Sequence, residues 1–252
     1  MTESTTLLSQ HSPRGPEHWD KNSIKKETKK LLAEIYEYTR RLYAEGESSI
    51  LLVLQGMDAS GKDGLTRTLF QSSSPAWVNV NSFKKPSGEE VDHHFLWRIQ
   101  KCVPKKGMIG VFNRSHYEDI LVPSVYGYMD AQALEQRYEM MNDFEQYLER
   151  NGTRVIKCYL NLSYEKQEEK LLERTQVPEK YWKHSDGDWE TREHWFEFMQ
   201  AYETIFSRCN TIPWNIIPCD RNWTKLYSVA NILLSELKQL DPQYPPLNST
   251  RF

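Results

Sequence analysis

The chain alternates between short apolar runs and longer amphipathic stretches. Ser49-Ile-Leu-Leu-Val-Leu54 is uninterrupted, of strand length, and followed by a glycine-rich turn. Such a run predicts a strand buried on both faces of a parallel sheet. Upstream, from about Ser23 to Ala44, Ile24, Leu31, Leu32, Ile35, Tyr36 and Leu42 recur among Lys and Glu at roughly helical spacing. Further strand-like runs lie near 77–83, 108–112, 153–160 and 214–218. Helical patterns lie near 64–70, 89–102, 130–150, 163–175, 190–208 and 222–240. Five short strands separated by helices imply right-handed crossovers and a three-layer α/β/α domain with a parallel five-stranded sheet. That domain spans 19–245. Residues 1–18 are polar, contain Ser12-Pro13-Arg14-Gly15-Pro16, and read as a flexible tail; 246–252 reads as a second tail. Thr175 to Trp189 is polar and aromatic without strand periodicity, which predicts a lid, at about 175–192, between two helices.

Composition narrows the class. With 252 residues, 38% hydrophobic and 27% charged, the chain suits a soluble globular domain with a substantial core. No apolar run approaches the roughly 18–20 residues that cross a bilayer, and Met1-Thr-Glu-Ser-Thr-Thr lacks the basic and apolar regions of a secretory signal. Cys102, Cys158, Cys209 and Cys219 form no CxxC pair and read as reduced thiols, consistent with a cytoplasmic protein. A net charge of −3 argues against general nucleic-acid binding. The total hides a cationic stretch, Lys84, Lys85, Arg98, Lys101, Lys105 and Lys106, from which a channel for a polyanion can be drawn. For Lys101, Lys105 and Lys106 an ordinary solvated surface is the simpler reading.

The chemistry concentrates after the first buried strand, at Gly56-Met-Asp-Ala-Ser-Gly-Lys62-Asp63-Gly64. In a strand–loop–helix context this GxxxxGK string predicts a phosphate-binding loop. Its glycines allow close backbone approach, the amides around Gly56, Ala59, Ser60 and Gly61 face phosphate oxygens, and Lys62 adds a point charge. Asp63 stands where such loops carry the Ser or Thr that binds Mg²⁺, and reads as a first-turn acid that complements the helix dipole. Metal charge then falls to Asp58, a departure that weighs against an ordinary ATPase or GTPase.

Ordered strings follow: Ser82-Phe-Lys-Lys-Pro-Ser87, Glu89-Glu-Val-Asp-His-His-Phe-Leu-Trp-Arg98, Gly110-Val-Phe-Asn-Arg-Ser-His-Tyr-Glu-Asp119, Glu179-Lys-Tyr-Trp-Lys-His-Ser-Asp-Gly-Asp188, and Pro213-Trp-Asn-Ile-Ile-Pro-Cys-Asp220. With the Asp-containing loop they resemble the second polyphosphate kinase family over about residues 25–240. The resemblance implies a P-loop kinase fold with a helical lid, Mg²⁺ dependence, and inorganic polyphosphate as donor or product. It implies purine nucleotides (ADP, GDP, AMP) as the other substrates. Exposed apolar positions on the N-terminal helix would be compatible with a homo-oligomer, a dimer or tetramer. By motif position Asp58, Lys62 and Arg114 take the catalytic roles, with Lys84 from the SFKxP string and Lys183, Asp188 and Arg192 from the lid. Asn113 together with Glu118-Asp119 resembles the branch that acts on nucleoside mono- and diphosphates. Val177-Pro178 and Arg221-Asn-Trp-Thr-Lys225 depart from the family pattern.

An acceptor phosphate is already anionic near neutral pH, so this chemistry needs cations more than a general base. His116 therefore reads as a turn-shaping residue, and His93-His94 as a packed or exposed pair with no metal-ligand spacing. Glu118 and Asp119 are open between metal or ribose contacts and a helix-start charge role. Asp188 and Arg192, four apart, can equally form a helical ion pair. Trp182, Trp189 and Trp195 can stack a base or pack the lid. An ATP-dependent nucleotide kinase and a catalytically weak binding regulator are the competing functions.

Overall fold

The buried run is the middle of the sheet. The computed structural model describes residues 8–249. In it β1 (Ser49–Gln55) lies between β3 (Ile109–Asn113) and β4 (Thr153–Asn161), with β2 (Val78–Ser82) and β5 (Trp214–Pro218) at the edges. All four pairings are parallel, and Leu51 sits opposite both Gly110 and Val155. Every residue of β1 is buried. Successive side chains point to opposite faces, so one strand serves two cores. Ile50, Leu52 and Leu54 join Ile35 of α1 (Lys21–Glu45), Leu65 of α2 (Lys62–Leu69) and Leu233 of α10 (Asn222–Leu240). Leu51 and Val53 join Ile120 of α5 (Glu118–Tyr126), Met141 and Phe144 of α6 (Ala131–Arg150) and Ile205 of α9 (Trp195–Arg208). The expected three-layer sheet is thus present. No helix of the described residues is long and apolar enough to cross a membrane.

Several expectations change. The helix expected over 89–102 is two short pieces, α3 (Gly88–Asp92) and α4 (Trp97–Gln100). Ser87 and Glu90 form a capping box that starts α3, and the extended backbone of His93 ends it. His93 is exposed and stacks on Trp97 at 4.0 Å. The helix expected from 190 is likewise α8 (Asp186–Glu193) followed by α9, broken at His194. Helix α5 had no sequence signal, because Pro123 and three β-branched residues depress its propensity. Burial of Ile120 and Leu121 supplies what propensity does not.

Residues 8–18 are not a loose tail. Leu8 is buried and its N–H donates to Glu203 Oε1 at 3.1 Å. Asn161 Nδ2 donates to the His11 carbonyl at 2.8 Å, and Asp220 N–H to that of Pro13 at 2.9 Å. The segment is a strap across the carboxyl ends of β4 and β5; the rest of the expected tail, 1–7, lies outside the described residues, as does 250–252. The apolar face of α1 is also accounted for within the chain, where Leu31, Ile35 and Leu42 pack in the core shared with α10.

One charged cluster is buried. Glu145 of α6 accepts from Lys157 Nζ of β4 at 2.7 Å and from the Tyr117 hydroxyl at 2.8 Å, with His116 Nε2 at 3.2 Å. Lys157 Nζ also donates to the Cys209 carbonyl at 2.9 Å. The cluster ties the turn after β3 to β4, α6 and the end of α9. His116 is accordingly a packing residue of that turn, as its sequence context implied. Removing one partner leaves the other charge buried, so Lys157→Met is expected to cost about 3–5 kcal/mol in urea unfolding. The double variant Glu145→Leu/Lys157→Met should cost clearly less than Lys157→Met alone.

Candidate active site

The strand order places β3 and β4 on either side of β1, so the chain leaves β1 at a switch point where a crevice opens at the carboxyl ends. The loop 56–61 fills that point. Gly56 has φ 146°, and a Cβ there would stand 2.9 Å from the Leu160 carbonyl oxygen. Gly61, the N-cap of α2, has φ 80°, with Lys225 Nζ 2.5 Å from where a Cβ would be. At the site two non-glycine residues, Ala59 (φ 65°) and Arg114 (φ 60°), also take the left-handed conformation. Strain of this kind persists only where surroundings enforce it; the Arg114 N–H, for example, donates to the Leu54 carbonyl at 3.1 Å.

Three predicted catalytic residues meet at the loop. Lys62 is buried, and its ammonium donates to the Gly56 carbonyl at 2.7 Å and the Met57 carbonyl at 3.2 Å. Arg114 Nη2 donates to Asp58 Oδ1, and Gln167 Nε2 holds the Asp58 carbonyl at 3.1 Å. Burial alone would raise the Asp58 carboxyl, but Arg114 and Lys62 outweigh it and hold it below its ordinary value. Glu118, beside the same cations, goes the other way, because burial dominates and pushes it up. Burial also lowers Lys62, against the pull of Asp58.

Asp58, Lys62, Asp63, Lys84, Arg114, Lys183 and Asp188 all line one open cleft of about 1260 Å³, together with Ala59 and Gly61. A smaller cavity of about 110 Å³ adjoins it at Asp58 and Arg114, walled by Glu118, Leu121, Tyr126, Phe198 and Tyr202. Asp63 does more than complement a dipole: Asn113 Nδ2 donates to its Oδ1, joining the first turn of α2 to the end of β3. In the lid, Asp188 accepts from Arg174 of α7 (Tyr164–Gln176), not from Arg192, and Arg174 also donates to the Lys183 carbonyl at 3.0 Å. Trp195 is buried against Tyr164, whereas Trp182 is exposed on the cleft.

Two expected binding residues point elsewhere. Arg192 is buried, donating to the Tyr164 carbonyl at 2.8 Å, Gln167 Oε1 at 3.1 Å and Glu168 Oε2 at 2.9 Å. It reaches the site only through Gln167. Asp119 pairs with the buried Arg98 at 3.2 Å, and Arg98 braces the Lys84 carbonyl at 2.8 Å. Lys101 lies over Trp97 and Lys106 lies 3.8 Å from Glu47, and neither lines the cleft. Conversely, Lys225 went unassigned in the sequence. Its ammonium donates to the Ser60 carbonyl at 2.7 Å, where Cys219 Sγ also lies at 2.9 Å. Only its place in the Arg221–Lys225 departure drew attention to it.

A family model described as Polyphosphate kinase 2 matches residues 18–245. The chain belongs to the polyphosphate kinase 2 family. Among its relatives in this family, an AMP/ADP-polyphosphate phosphotransferase of Meiothermus ruber is 42% identical over 206 residues, 81% of this chain and 77% of the relative. An ADP-polyphosphate phosphotransferase of Rhodopseudomonas palustris is 36% identical, covering 83% and 78% of the two chains. The crystal structure of Polyphosphate Kinase 2 from Arthrobacter aurescens TC1 superposes with a TM-score of 0.94 at 36% identity, over 98% of this chain and 90% of that one. The P-loop kinase fold of the polyphosphate kinase 2 family is therefore the fold of this chain.

Since a side chain at residue 56 would meet the Leu160 carbonyl, Gly56→Ala must displace the loop. It is expected to lower stability by about 1–3 kcal/mol and to abolish nucleotide binding in calorimetry.

Proposed function

We propose that this chain transfers phosphate between inorganic polyphosphate and purine nucleoside di- or monophosphates, ADP or GDP to the triphosphate and AMP to ADP. The observation that carries the reading is the convergence of Lys62, Arg114 and Asp58 on the mouth of the phosphate loop. The reaction joins two polyanions, and the nucleophile is a phosphate oxygen that is already charged. What it needs from the protein is cations and alignment. Lys62 and Arg114 stand where charge on the transferring group would be offset. Burial raises the Glu118 carboxyl against the pull of Arg114 and Lys62. The small cavity of Leu121, Tyr126, Phe198 and Tyr202 has the apolar and aromatic walls that suit a nucleoside, opening directly onto Arg114.

The donor set fits Mg²⁺ carried on phosphate. Among the described residues no three or more His, Cys, Asp or Glu side chains gather as a cage. Mg²⁺ in phosphotransferases needs only one or two carboxylates beside phosphate oxygens and water. Asp58, kept ionised by Arg114 and Lys62, is the residue to hold it, with Glu118 in the same cavity. Bound there, the metal would neutralise charge on the transferring phosphates.

The test incubates purified protein with Mg²⁺, long-chain polyphosphate and either ADP or AMP, and follows the nucleotide products. ATP from ADP, or ADP from AMP, is expected, and chelation by EDTA should stop it. Formation of neither product would overturn the reading, and turnover of AMP with ATP alone would mark an ATP-dependent nucleotide kinase instead. Lys62→Ala and Arg114→Ala should each lose roughly 100-fold or more in kcat with an unchanged circular dichroism spectrum.

A further inference from the structure

Gln55 ends β1 on the same face as Leu51 and Val53, toward α5, α6 and α9, and is fully buried. A buried amide is costly unless its polar atoms find partners. Its Nε2 donates to the hydroxyl of Ser115, also fully buried, at 3.0 Å, and the same amide hydrogen-bonds the Glu118 carboxyl. Its Oε1 is shielded from solvent and has no partner among the described residues. The fold therefore uses this side chain as a donor and leaves its oxygen unpaired, whereas an apolar residue of similar length would fill the space without that cost. Gln55 lines neither the cleft nor the smaller cavity, so it does not act by touching substrate.

What the amide holds is the turn after β3. Arg114 takes its left-handed conformation there, and its N–H donates to the Leu54 carbonyl at 3.1 Å. The next residue, Ser115, receives Gln55; its hydroxyl oxygen also accepts from the Tyr117 N–H at 3.2 Å, and its carbonyl from the Glu118 N–H at 3.1 Å. Two consecutive residues of β1 thus grip two consecutive residues of the turn, Leu54 through its backbone and Gln55 through its side chain. The residue after Gln55 is Gly56, where the phosphate loop begins. Resting on the proposed function, we infer that Gln55 is a positioning residue for Arg114, acting through Ser115. A strained backbone persists only where its surroundings over-determine it, and a single backbone hydrogen bond leaves the turn free to pivot. The second grip fixes the direction in which the long Arg114 side chain leaves the chain, and so its approach to Asp58 and the mouth of the loop. A cation that offsets charge in the transition state works only if it is already in place, so the contribution of Gln55 is to the chemical step rather than to substrate affinity.

Gln55→Met, Ser115→Ala, their double variant and Gln55→Met/Arg114→Ala test the assignment by steady-state kinetics with long-chain polyphosphate and ADP, beside amide hydrogen exchange, which needs no turnover. Gln55→Met keeps the length of the side chain and removes the donor. It is expected to lower kcat roughly tenfold and to move the KM of either substrate by less than about twofold. Ser115→Ala breaks the same hydrogen bond from the other side and should lower kcat at least as much, with the double variant no slower than Ser115→Ala alone. In the Arg114→Ala background, Gln55→Met should cost less than about twofold, because the group it positions is gone; a residue that merely supports the fold would cost the same in both backgrounds. The amides of residues 114–117 should exchange roughly tenfold faster in Gln55→Met, while those of β1 keep their protection. Wild-type kcat in Gln55→Met or Ser115→Ala, an undiminished penalty without Arg114, or unchanged exchange at 114–117 would overturn the assignment. Wild-type protein that yields neither ATP from ADP nor ADP from AMP would instead overturn the functional reading beneath it, and exchange would still decide whether Gln55 holds the turn.

Discussion

Two polyanions must approach within bonding distance in this site, and the protein has to offset their repulsion before any chemistry. That constraint accounts for Lys62 and the arginine after β3 lining one cleft at the carboxyl edge of the sheet. It also explains why the loop is held so firmly. β1 contributes a strand with every residue buried, so the loop starts from a fixed position. Lys225 grips its far end through the Ser60 carbonyl, and Gln167 its middle through that of Asp58. Preorganised dipoles need not be reoriented during the reaction, which is the main source of their effect.

The support extends outward by identifiable contacts. Arg192 orients Gln167, and Arg98 braces both the Lys84 backbone and Asp119. The buried Glu145–Lys157 pair secures the turn that begins with Arg114 in a left-handed conformation. The strap at 8–18 hydrogen-bonds to Asp220, whose carboxylate accepts from the N–H and hydroxyl of Ser163 at the start of α7. Residues that resemble ligands in a motif can therefore belong to the framework, and Arg192 is the clearest example.

Asp58 and Glu118 show how two carboxyls beside one set of cations shift in opposite directions. Each lies near Arg114 and Lys62. Asp58 makes a direct hydrogen bond with Arg114 and falls below its ordinary value; Glu118 loses more to burial than it gains from the cations and rises.

The sheet and the loop were legible in the sequence because their signals are local. A continuous apolar run, a GxxxxGK string and alternating periods define five strands, six of the principal helices and the residues Asp58 and Lys62, while Arg114 was marked by its place in the family-like string after β3. The breaks at His93 and His194, and the helix at Glu118–Tyr126, were not legible, since caps and tertiary burial overrode the periodic pattern. Partner choice was the other limit. Asp188 turned to Arg174 on another helix, Arg192 turned inward, and the cleft gathered Lys25, Lys170 and Lys225 from three distant segments. Sequence by itself determined which residue types carry the chemistry, because a phosphate loop is specified by neighbouring residues. Only the tertiary structure decided which cations face the cleft, because that depends on helices packed together from far apart in the chain.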